Sequence, residues 1–280
     1  MKRKFLIIFA AAVMALGIHA QEKVLFVPSG TYGNGSTLTS ENTTLILGKD
    51  HPTKNYTMKE HATMAYCNEL FGQTTLIEGT EKTRVFGVYG TNNPKDGDSF
   101  NSDGTNKGSG YKPASANLPK TGTFYKITTK KDGHICAFIV VNADKSLYVV
   151  KGSNGSCLPV SDLTIKADGN EPTVVALNKD YKTAEKVTGT LEFDAKANET
   201  YYVFCTGSKL TFGGYVFTEK HYKGADAKYD INSDGFIDVV DVMQFVQLVL
   251  RDSDTKYDIN GDGSIDVVDV MQLVQVVLKY

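Results

Sequence analysis

The chain has 280 residues, of which 41% are hydrophobic and 22% are charged, and its formal net charge is −2. This hydrophobic content is enough for a packed core, and no basic tract or stripe in the sequence suggests nucleic-acid binding. Trp is absent while 15 Tyr and 14 Phe are present, so any aromatic surface must be built from those two residue types.

The first 20 residues have the pattern of a secretory signal peptide. Three basic residues at 2–4 precede an apolar run at 5–18, and small residues allow cleavage after Ala20. No later segment is apolar for long enough to span a membrane. We therefore expect a secreted protein, extracellular or associated with the cell surface, whose mature chain begins near Gln21.

Residues 21–218 are predicted to form a mainly β domain. Short runs rich in β-branched and aromatic residues alternate with Gly, Asn, Asp and Pro turns, and no long amphipathic helix interrupts them. This pattern favours a β-sandwich that is jelly-roll-like in type. The predicted strands lie at 23–27, 43–47, 74–77, 84–89, 123–128, 135–141, 147–150, 173–177, 187–193, 201–205 and 210–217.

Residues 90–122 break the rhythm of short strands. The segment is rich in Gly, Asn, Ser, Asp, Lys and Pro and is too long for a hairpin loop. Loops of this length are either functional or disordered.

All four cysteines fall within the predicted sandwich. An oxidising compartment would permit up to two disulfides in three possible pairings. Buried free thiols are an equally good interpretation, because two of the four lie in apolar, strand-like runs. The residues are Cys67, Cys136, Cys157 and Cys205.

No catalytic signature stands out in this domain, and no catalytic residue is assigned. HExxH, GxSxG, CxxC, GxGxxG and P-loop motifs are all absent. Four carboxylates could supply a glycosidase pair, although a solvated strand face explains them better: Glu69, Glu78, Glu192 and Asp194. We expect a protein that is not an enzyme, with a small glycoside hydrolase or polysaccharide lyase as the alternative.

Tyrosines in Gly-rich loops indicate a binding function for the sandwich. Aromatic rings give flat apolar surfaces for sugar rings, and neighbouring Asn, Asp and Lys side chains bond the sugar hydroxyls. Tyr32, Tyr89 and Tyr111 are the candidates for such carbohydrate contacts. The domain is therefore predicted to bind polysaccharide or to serve as a structural module.

A polar linker at 219–227 leads to a small helical domain predicted at 228–280, which contains two near-identical segments. Residues 229–250 and 257–278 start 28 positions apart and match at 18 of 22 positions. Each has the ligand spacing of a calcium loop, with positions one, three, five, seven, nine and twelve, and runs straight into a helix. The predicted ligands of two calcium ions are Asp230, Asn232, Asp234, Phe236, Asp238 and Asp241, then Asp258, Asn260, Asp262, Ser264, Asp266 and Asp269.

Other details of the loops agree with calcium. Gly235 and Gly263 fall at the sharp turn, where a residue without Cβ is needed, while Phe236 and Ser264 contribute only a backbone carbonyl. The closing ligand is Asp, whose short arm favours modest affinity suited to extracellular calcium. Residues 228–280 hold ten acidic and four basic residues, so we expect this segment to order only when calcium offsets their repulsion.

The helix after each loop is apolar on nearly every side. Within 239–250 only Asp241, Gln244 and Gln247 are polar. Two short helices cannot bury the whole circumference of each other, which leaves apolar surface typical of a protein interface. Burial against the preceding domain is the alternative, whereas each run is too short to span a bilayer.

Residues 228–280 resemble a type I dockerin module. The resemblance rests on DINSDGFIDVVD and DINGDGSIDVVD, on the Asp that closes each loop and on the helix that follows. Dockerins bind calcium and attach secreted proteins to cohesin modules, so the resemblance implies a cohesin-bearing partner and a role in polysaccharide breakdown. The positions that it implies for partner binding are Val239, Val240, Val246, Gln247, Val267, Val268, Val274 and Gln275.

These partner-binding positions depart from the family pattern. Dockerins often have hydroxyl residues just before the last ligand and basic residues in the helix, where this chain has Val and Gln. An apolar recognition face is consistent with a different class of cohesin. It is also consistent with a structural protein in which the calcium-stabilised segment caps its own sandwich.

Overall fold

The computed structural model describes residues 21–77, 79–220, 224–232, 235–250 and 257–278. The predicted signal peptide at 1–20 and part of the predicted linker, residues 221–223, lie outside the described residues. The chain divides into two compact units, Glu22–Phe217 and a second unit that takes in the chain from Thr218 onward. Within the described residues no helix is both long enough and apolar enough to cross a membrane.

The first unit is built from β-strands and one short helix. In chain order these are β1 (Glu22–Leu25), β2 (Thr37–Thr39), β3 (Thr43–Leu47), β4 (Thr57–His61), α1 (Ala65–Phe71), β5 (Gln73–Ile77), β6 (Thr80–Tyr89), β7 (Tyr125–Thr129), β8 (Gly133–Val141), β9 (Ser146–Lys151), β10 (Thr164–Ala167), β11 (Thr173–Val175), β12 (Val187–Ala195), β13 (Thr200–Thr206) and β14 (Thr211–Glu219).

The strands form two antiparallel sheets. The nine-stranded sheet A has the order β11, β10, β12, β8, β14, β6, β4, with β1 also paired to β14 and β5 to β6. The five-stranded sheet B has the order β2, β3, β7, β13, β9. Most neighbours are distant in the chain, as in Greek-key sandwiches. The unit is mainly β and sandwich-like, which confirms the predicted fold class.

Each of the eleven predicted strands has a counterpart in the structure, and the missed elements are short or polar. The elements that the sequence pattern does not reveal are β2, β4, β10 and α1. β4 reads TMKEH and has no fully buried residue, since it lies at one edge of sheet A. Edge strands commonly carry charged residues that protect them against further pairing, and this removes the apolar alternation that reveals a strand.

The core lies between the two sheets and follows from strict alternation along the central strands. In β8 the side chains of Ile135, Ala137 and Ile139 are fully buried and belong to the main hydrophobic cluster. The facing strand β7 alternates in the same way, burying Tyr125 and Ile127. Successive side chains of a strand point to opposite faces, so each strand sends every second residue into the core.

Tyr125 links the two sheets through its hydroxyl group. The ring is fully buried and stacks on Phe212 with ring centroids 4.5 Å apart. Its hydroxyl donates to the carbonyl oxygens of Val88 at 2.7 Å and Leu210 at 2.9 Å, in and beside strands of sheet A. The single O–H donor is therefore shared between two buried carbonyl groups while the ring fills the core.

The helix α1 covers the middle of the outer face of sheet A. Its buried residues Cys67 and Phe71 form a second hydrophobic cluster with Val85, Phe138 and others. The carboxylate of Asp168, from the β10–β11 connection, accepts the backbone N–H groups of Met64 and Cys67 at 2.7 and 3.1 Å. A carboxylate at a helix N-terminus satisfies N–H groups that have no partner within the helix.

The predicted long loop at 90–122 is organised around Asp50. This carboxylate is fully buried and accepts the backbone N–H groups of Thr91 and Asn92 at 2.6 and 2.9 Å. The hydroxyl groups of Thr91 and Thr123 also donate to it, at 2.8 and 2.9 Å. One acceptor thus holds both ends of the segment, which lacks strands of its own.

All four cysteines are free thiols in this structure, in agreement with the interpretation as unpaired residues. Burial raises the pKa of each thiol above its ordinary value: Cys67, Cys136, Cys157 and Cys205. Because the thiolate is the reactive form, raised pKa values reduce the reactivity of these thiols at neutral pH.

The second unit contains a 3₁₀ turn at Gly224–Tyr229 and two helices, α2 (Val239–Leu250) and α3 (Val267–Val277). The helices pack on each other through Phe245 and Leu273, which are fully buried at matching positions of the two repeats. Apolar residues of the loops, Ile231, Ile237 and Ile259, complete this small core.

We expect Tyr125→Phe to lower the free energy of unfolding of the sandwich by about 1–3 kcal/mol, because buried carbonyl groups lose their donor while the ring remains. Urea denaturation of the full chain, followed by near-ultraviolet circular dichroism, measures this change. Tyr202→Phe, at a half-buried tyrosine on β13, is the matched control and should have little effect. Equal stability of Tyr125→Phe and the original protein would contradict the sheet-linking role.

Candidate metal centre and binding surfaces

Each repeat has an aspartate at its closing position whose side chain is fully buried, Asp241 in the first loop and Asp269 in the second. Asp241 Oδ1 accepts the N–H groups of Ile231 and Asn232 at 2.6 and 3.1 Å, and its Oδ2 accepts the N–H of Asp238 at 2.8 Å. One carboxylate therefore joins the beginning of the loop to the beginning of the helix.

The second loop repeats this arrangement contact by contact. Asp269 Oδ1 accepts the N–H groups of Ile259 and Asn260, both at 2.9 Å, and its Oδ2 accepts the N–H of Asp266 at 3.0 Å. The positions are offset by the same 28 residues as the repeats in the sequence. The duplicated sequence therefore produces a duplicated geometry.

The first residue of each loop gathers backbone N–H groups from the turn. Asp258 accepts those of Gly261 and Asp262 on Oδ1, at 2.7 and 3.2 Å, and that of Gly263 on Oδ2, at 2.8 Å. The loop is thus wound around this carboxylate, which satisfies the backbone N–H groups of its turn.

Two glycines make the sharp turn possible, as the sequence predicts. Gly235 has a φ of 93° and Gly263 a φ of 89°, in the left-handed region that disfavours residues with a Cβ. Gly235 also donates its N–H to Asp230 Oδ2 at 3.0 Å, the first-loop counterpart of the bond made by Gly263.

The ninth residue of each loop begins the following helix. Asp266 Oδ1 accepts the N–H of Val268 at 2.7 Å and forms a capping box with Asp269. In the first loop, Asp238 Oδ1 accepts the N–H of Val240 at the same distance. A capping aspartate satisfies an otherwise unpaired N–H of the first turn, which stabilises helices that are rich in β-branched residues.

The two closing carboxylates differ in acidity. Burial raises the pKa of Asp241 to about 6, and the neighbouring charge of Asp230 acts in the same direction. Burial also acts to raise the pKa of Asp269, but bonds from the backbone N–H groups outweigh it and hold that pKa below its ordinary value.

The donor set of the loops fits calcium. Carboxylate, amide and backbone carbonyl oxygens suit a hard cation, and neither loop offers the sulfur or imidazole ligands that zinc and copper prefer. In the parts of the chain that the structure describes, no cluster of three or more His, Cys, Asp or Glu side chains is arranged to hold a metal ion. Asp234, the predicted fifth-position ligand of the first loop, lies outside those parts.

Comparison with known proteins agrees with this geometry. Residues 228–278 match the family model of the dockerin type I domain. This segment is a type I dockerin module. Type I dockerins bind calcium, act as cohesin-binding modules of cellulosome-type assemblies and are typically extracellular. No curated protein matches the chain.

The dockerin exposes apolar side chains mainly on α3. Val267 is 67% exposed and Val268 is 53% exposed, and Met271, which sequence analysis did not single out, is 54% exposed. Of the other positions predicted to bind a partner, Gln247 and Gln275 are exposed, whereas the remaining four are half-buried: Val239, Val240, Val246 and Val274.

A shallow hollow of about 350 Å³ lies beside these exposed residues. Val268, Met271 and Gln275 line it together with Tyr229 and Val276. The sequence signal for Met271 is its position three residues after Val268, which places both on one face of the helix.

The three tyrosines proposed for carbohydrate contacts lie in different surroundings, and one of them is buried. Tyr111 is only 5% exposed, and its ring packs edge-on against Tyr148 and Phe204, with centroids 5.1 and 5.2 Å away. Its hydroxyl donates to the carbonyl oxygen of Gly155 at 3.2 Å. The prediction that Tyr111 forms a sugar platform is therefore wrong, because its ring has no free face.

Tyr32 and Tyr89 remain partly accessible. The ring of Tyr32 packs edge-on against Phe26 at 4.9 Å, and its hydroxyl accepts the N–H of Val27 at 2.8 Å. Tyr89 ends β6 and lines a hollow on the outer face of sheet A. Of the three tyrosines, Tyr89 has the setting most like a binding site.

At one end of the same outer face, a buried glutamate organises a polar cluster that sequence analysis assigned to a solvated strand surface. Glu192 is only 8% exposed. Its Oε1 accepts the hydroxyl groups of Tyr66 at 2.8 Å and Thr190 at 3.0 Å. Its Oε2 lies 2.9 Å from Lys166 Nζ and 3.8 Å from His134 Nε2.

The groups around Glu192 control its charge. Burial acts to raise the pKa, but the contacts with His134 and Lys166 and the hydrogen bond from Tyr66 outweigh it and hold the pKa of Glu192 at about 2. Burial acts to lower the pKa of His134, yet contacts with Asp194, at 3.0 Å, and with Glu192 raise it above its ordinary value. The cluster borders a hollow of about 380 Å³.

We expect Glu192→Gln to lower the free energy of unfolding of the sandwich by about 3 kcal/mol near pH 5.5. The folded-state pKa of about 2 is below the ordinary value of 4.5, so this stabilisation is complete above pH 4.5 and is lost as the pH falls through 2. Urea denaturation at about pH 5.5 and about pH 2.5 should therefore show a large difference at the higher pH and a smaller one at the lower pH.

Asp162→Asn changes an exposed carboxylate of the same hollow and serves as the control for this experiment. It should alter stability little at either pH. A stability difference between Glu192→Gln and the original protein that stays constant across this range would contradict the assigned ionisation.

Proposed function

We propose that the chain is an exported, calcium-dependent docking protein in which the dockerin attaches the β-sandwich to a cohesin-bearing partner during polysaccharide breakdown. In this proposal residues 21–218 are the sandwich domain, 219–227 the linker and 228–280 the docking domain. The sandwich recognises carbohydrate or acts as a structural module. The observation that supports the proposal best is the pair of equivalent loops, each tied to its helix by a buried aspartate, Asp241 or Asp269.

Two calcium ions are proposed, one in each loop. The first would be held by oxygens of Asp230, Asn232, Asp234, Phe236, Asp238 and Asp241, and the second by the equivalent set Asp258, Asn260, Asp262, Ser264, Asp266 and Asp269. Phe236 and Ser264 would contribute carbonyl oxygens. Calcium would supply the positive charge that allows these carboxylates to remain close together.

We expect Asp230→Ala combined with Asp258→Ala to abolish calcium binding to the full chain in calorimetric titration, while each single change leaves one site. Each of the two carboxylates accepts a backbone N–H group from the turn of its loop, and each residue lies at the first ligand position. Chelator should also lower the helical circular dichroism signal of the original protein. Asp180→Ala, at an exposed position of the sandwich, is the control. Two remaining sites in the double variant would overturn the ligand assignment.

The proposed partner surface is the exposed apolar side of the dockerin. It combines the predicted positions Val239, Val240, Val246, Gln247, Val267, Val268, Val274 and Gln275 with Met271. On α3 the exposed valines and Met271 have no cover from the dockerin core. Apolar side chains that become desolvated at the centre of an interface contribute most of its affinity.

We expect Val268→Asp combined with Met271→Asp to weaken binding of the full chain to an immobilised type I cohesin by about tenfold or more, because a charge would be buried in an apolar contact. Calcium titration of the same variant should be unchanged, which separates docking from loop formation. Val174→Asp, at an exposed valine of the sandwich, is the matched control. Calcium binding without any capture by cohesins would favour a calcium-stabilised cap on the sandwich.

An enzyme that carries a dockerin is the second candidate function. The observation that favours it is that Glu192, which pairs with Lys166, lines a hollow together with Asp194, since two carboxylates, or a carboxylate and a lysine, facing one groove are what a glycoside hydrolase or polysaccharide lyase would require. Release of oligosaccharides from polysaccharides by the full chain, abolished by Glu192→Gln, would establish it. Retention of polysaccharide without release supports the binding module.

A further inference from the structure

The outer face of sheet A carries a second hollow, at the end opposite to the Glu192 cluster. β8 runs from His134 at one end of this face to Asn142, just beyond its other end, with Phe138 under α1 between them. The hollow has a volume of about 250 Å³. Residues from several strands and connections meet there: Lys59, His61, Tyr89, Asn142, Lys186 and Lys209.

The lining of this hollow is strongly positive. Lys59, Lys186 and Lys209 are all exposed, and no carboxylate lines the hollow with them. None of the three forms a salt bridge within the described residues. The chain as a whole has a net charge of −2, so this concentration of lysines is a local feature. Lysines without counter-charges on one concave surface raise the local concentration of anions.

His61 adds a polar group that the protein itself leaves unpaired. Its Nε2 atom is buried and has no hydrogen-bond partner among the described residues. Its ring packs near Phe138, with centroids 5.5 Å apart. Burial is the main cause that lowers the pKa of His61 to about 4, and the positive charges of Lys59 and Lys186 act in the same direction. The ring is therefore neutral at neutral pH. A bound ligand or water that paired with Nε2 would remove the cost of this unsatisfied atom.

The remaining lining groups suit a sugar. Tyr89 presents a half-buried ring at the end of β6. Asn142 Nδ2 donates to Ser208 Oγ at 2.9 Å, which holds an amide and a hydroxyl side by side at the rim. An aromatic ring can pack on the apolar face of a sugar ring, and amide and hydroxyl groups beside it can bond the sugar hydroxyl groups. The volume is below that of pockets for drug-sized ligands, so it suits one unit of a longer chain.

We propose that this hollow binds an acidic saccharide unit of a polysaccharide, with Lys59, Lys186 and Lys209 facing its carboxylate or sulfate group. The inference rests on the proposed carbohydrate-binding role of the sandwich and specifies the charge class of its ligand. Tyr89 contacts the sugar ring, and Asn142 and Ser208 bond its hydroxyl groups. Attraction by three lysines weakens as salt screens their charges, so binding declines with ionic strength.

The test measures binding of the calcium-saturated full chain to two matched pairs of soluble polymers by affinity electrophoresis. Carboxymethyl cellulose and hydroxyethyl cellulose differ in carboxylate groups, and dextran sulfate and dextran differ in sulfate groups. We expect retention by a charged polymer and not by its neutral counterpart, and the pair that responds identifies the anionic group. Lys59→Ala with Lys186→Ala and Lys209→Ala should weaken the retention by about tenfold or more.

A control variant removes the same charge elsewhere. Lys107→Ala with Lys112→Ala and Lys179→Ala changes three exposed lysines outside the hollow and should retain full binding. Equal losses in the two triple variants would overturn the proposed site. The proposed site would also be overturned if the protein bound neutral polymers and the triple variant at Lys59, Lys186 and Lys209 bound them equally well. The carbohydrate role would then stand. Binding to none of the polymers would overturn both.

Discussion

Both units of this protein depend on buried carboxylates that accept backbone N–H groups. Asp241 and Asp269 each tie a loop to the helix that follows, and Asp50 holds a long loop of the sandwich in the same way. The half-buried Asp168 has a similar role at a short helix. A buried N–H group without a partner is costly, and a carboxylate has enough acceptor positions to satisfy several of them. Segments without strands of their own therefore acquire defined shapes around single residues.

In the proposed function, stability and recognition depend on opposite faces of sheet A. Its inner face forms the core with sheet B, where Tyr125 joins the sheets by hydrogen bonds as well as by packing. Its outer face is divided into three zones: the polar cluster of Glu192, the patch under α1 and the lysine-lined hollow beside Tyr89. Within the described residues of this unit, α1 covers the middle zone, and the proposed ligand sites are the hollows at the two ends.

The sequence predicted those strands in which more buried and less buried residues alternate regularly. β3 was predicted with its observed bounds because it alternates buried and half-buried residues. β4 was missed because an edge strand with charged residues lacks that alternation. Glu192 was misread for a related reason: a carboxylate on a strand usually faces water, and only the packing of Tyr66, Lys166 and His134 around it makes burial favourable.

By itself the sequence determined the dockerin repeats, since ligand spacing, turn glycines and capping residues are local properties that recur at a fixed offset. It likewise determined the β character of the other unit, because alternation is a local signal. Only the tertiary structure decided that Tyr111 is buried and that Lys59, Lys186 and Lys209 share one hollow. These residues are far apart in the chain, and their meeting depends on how non-consecutive strands pair, which no local pattern records.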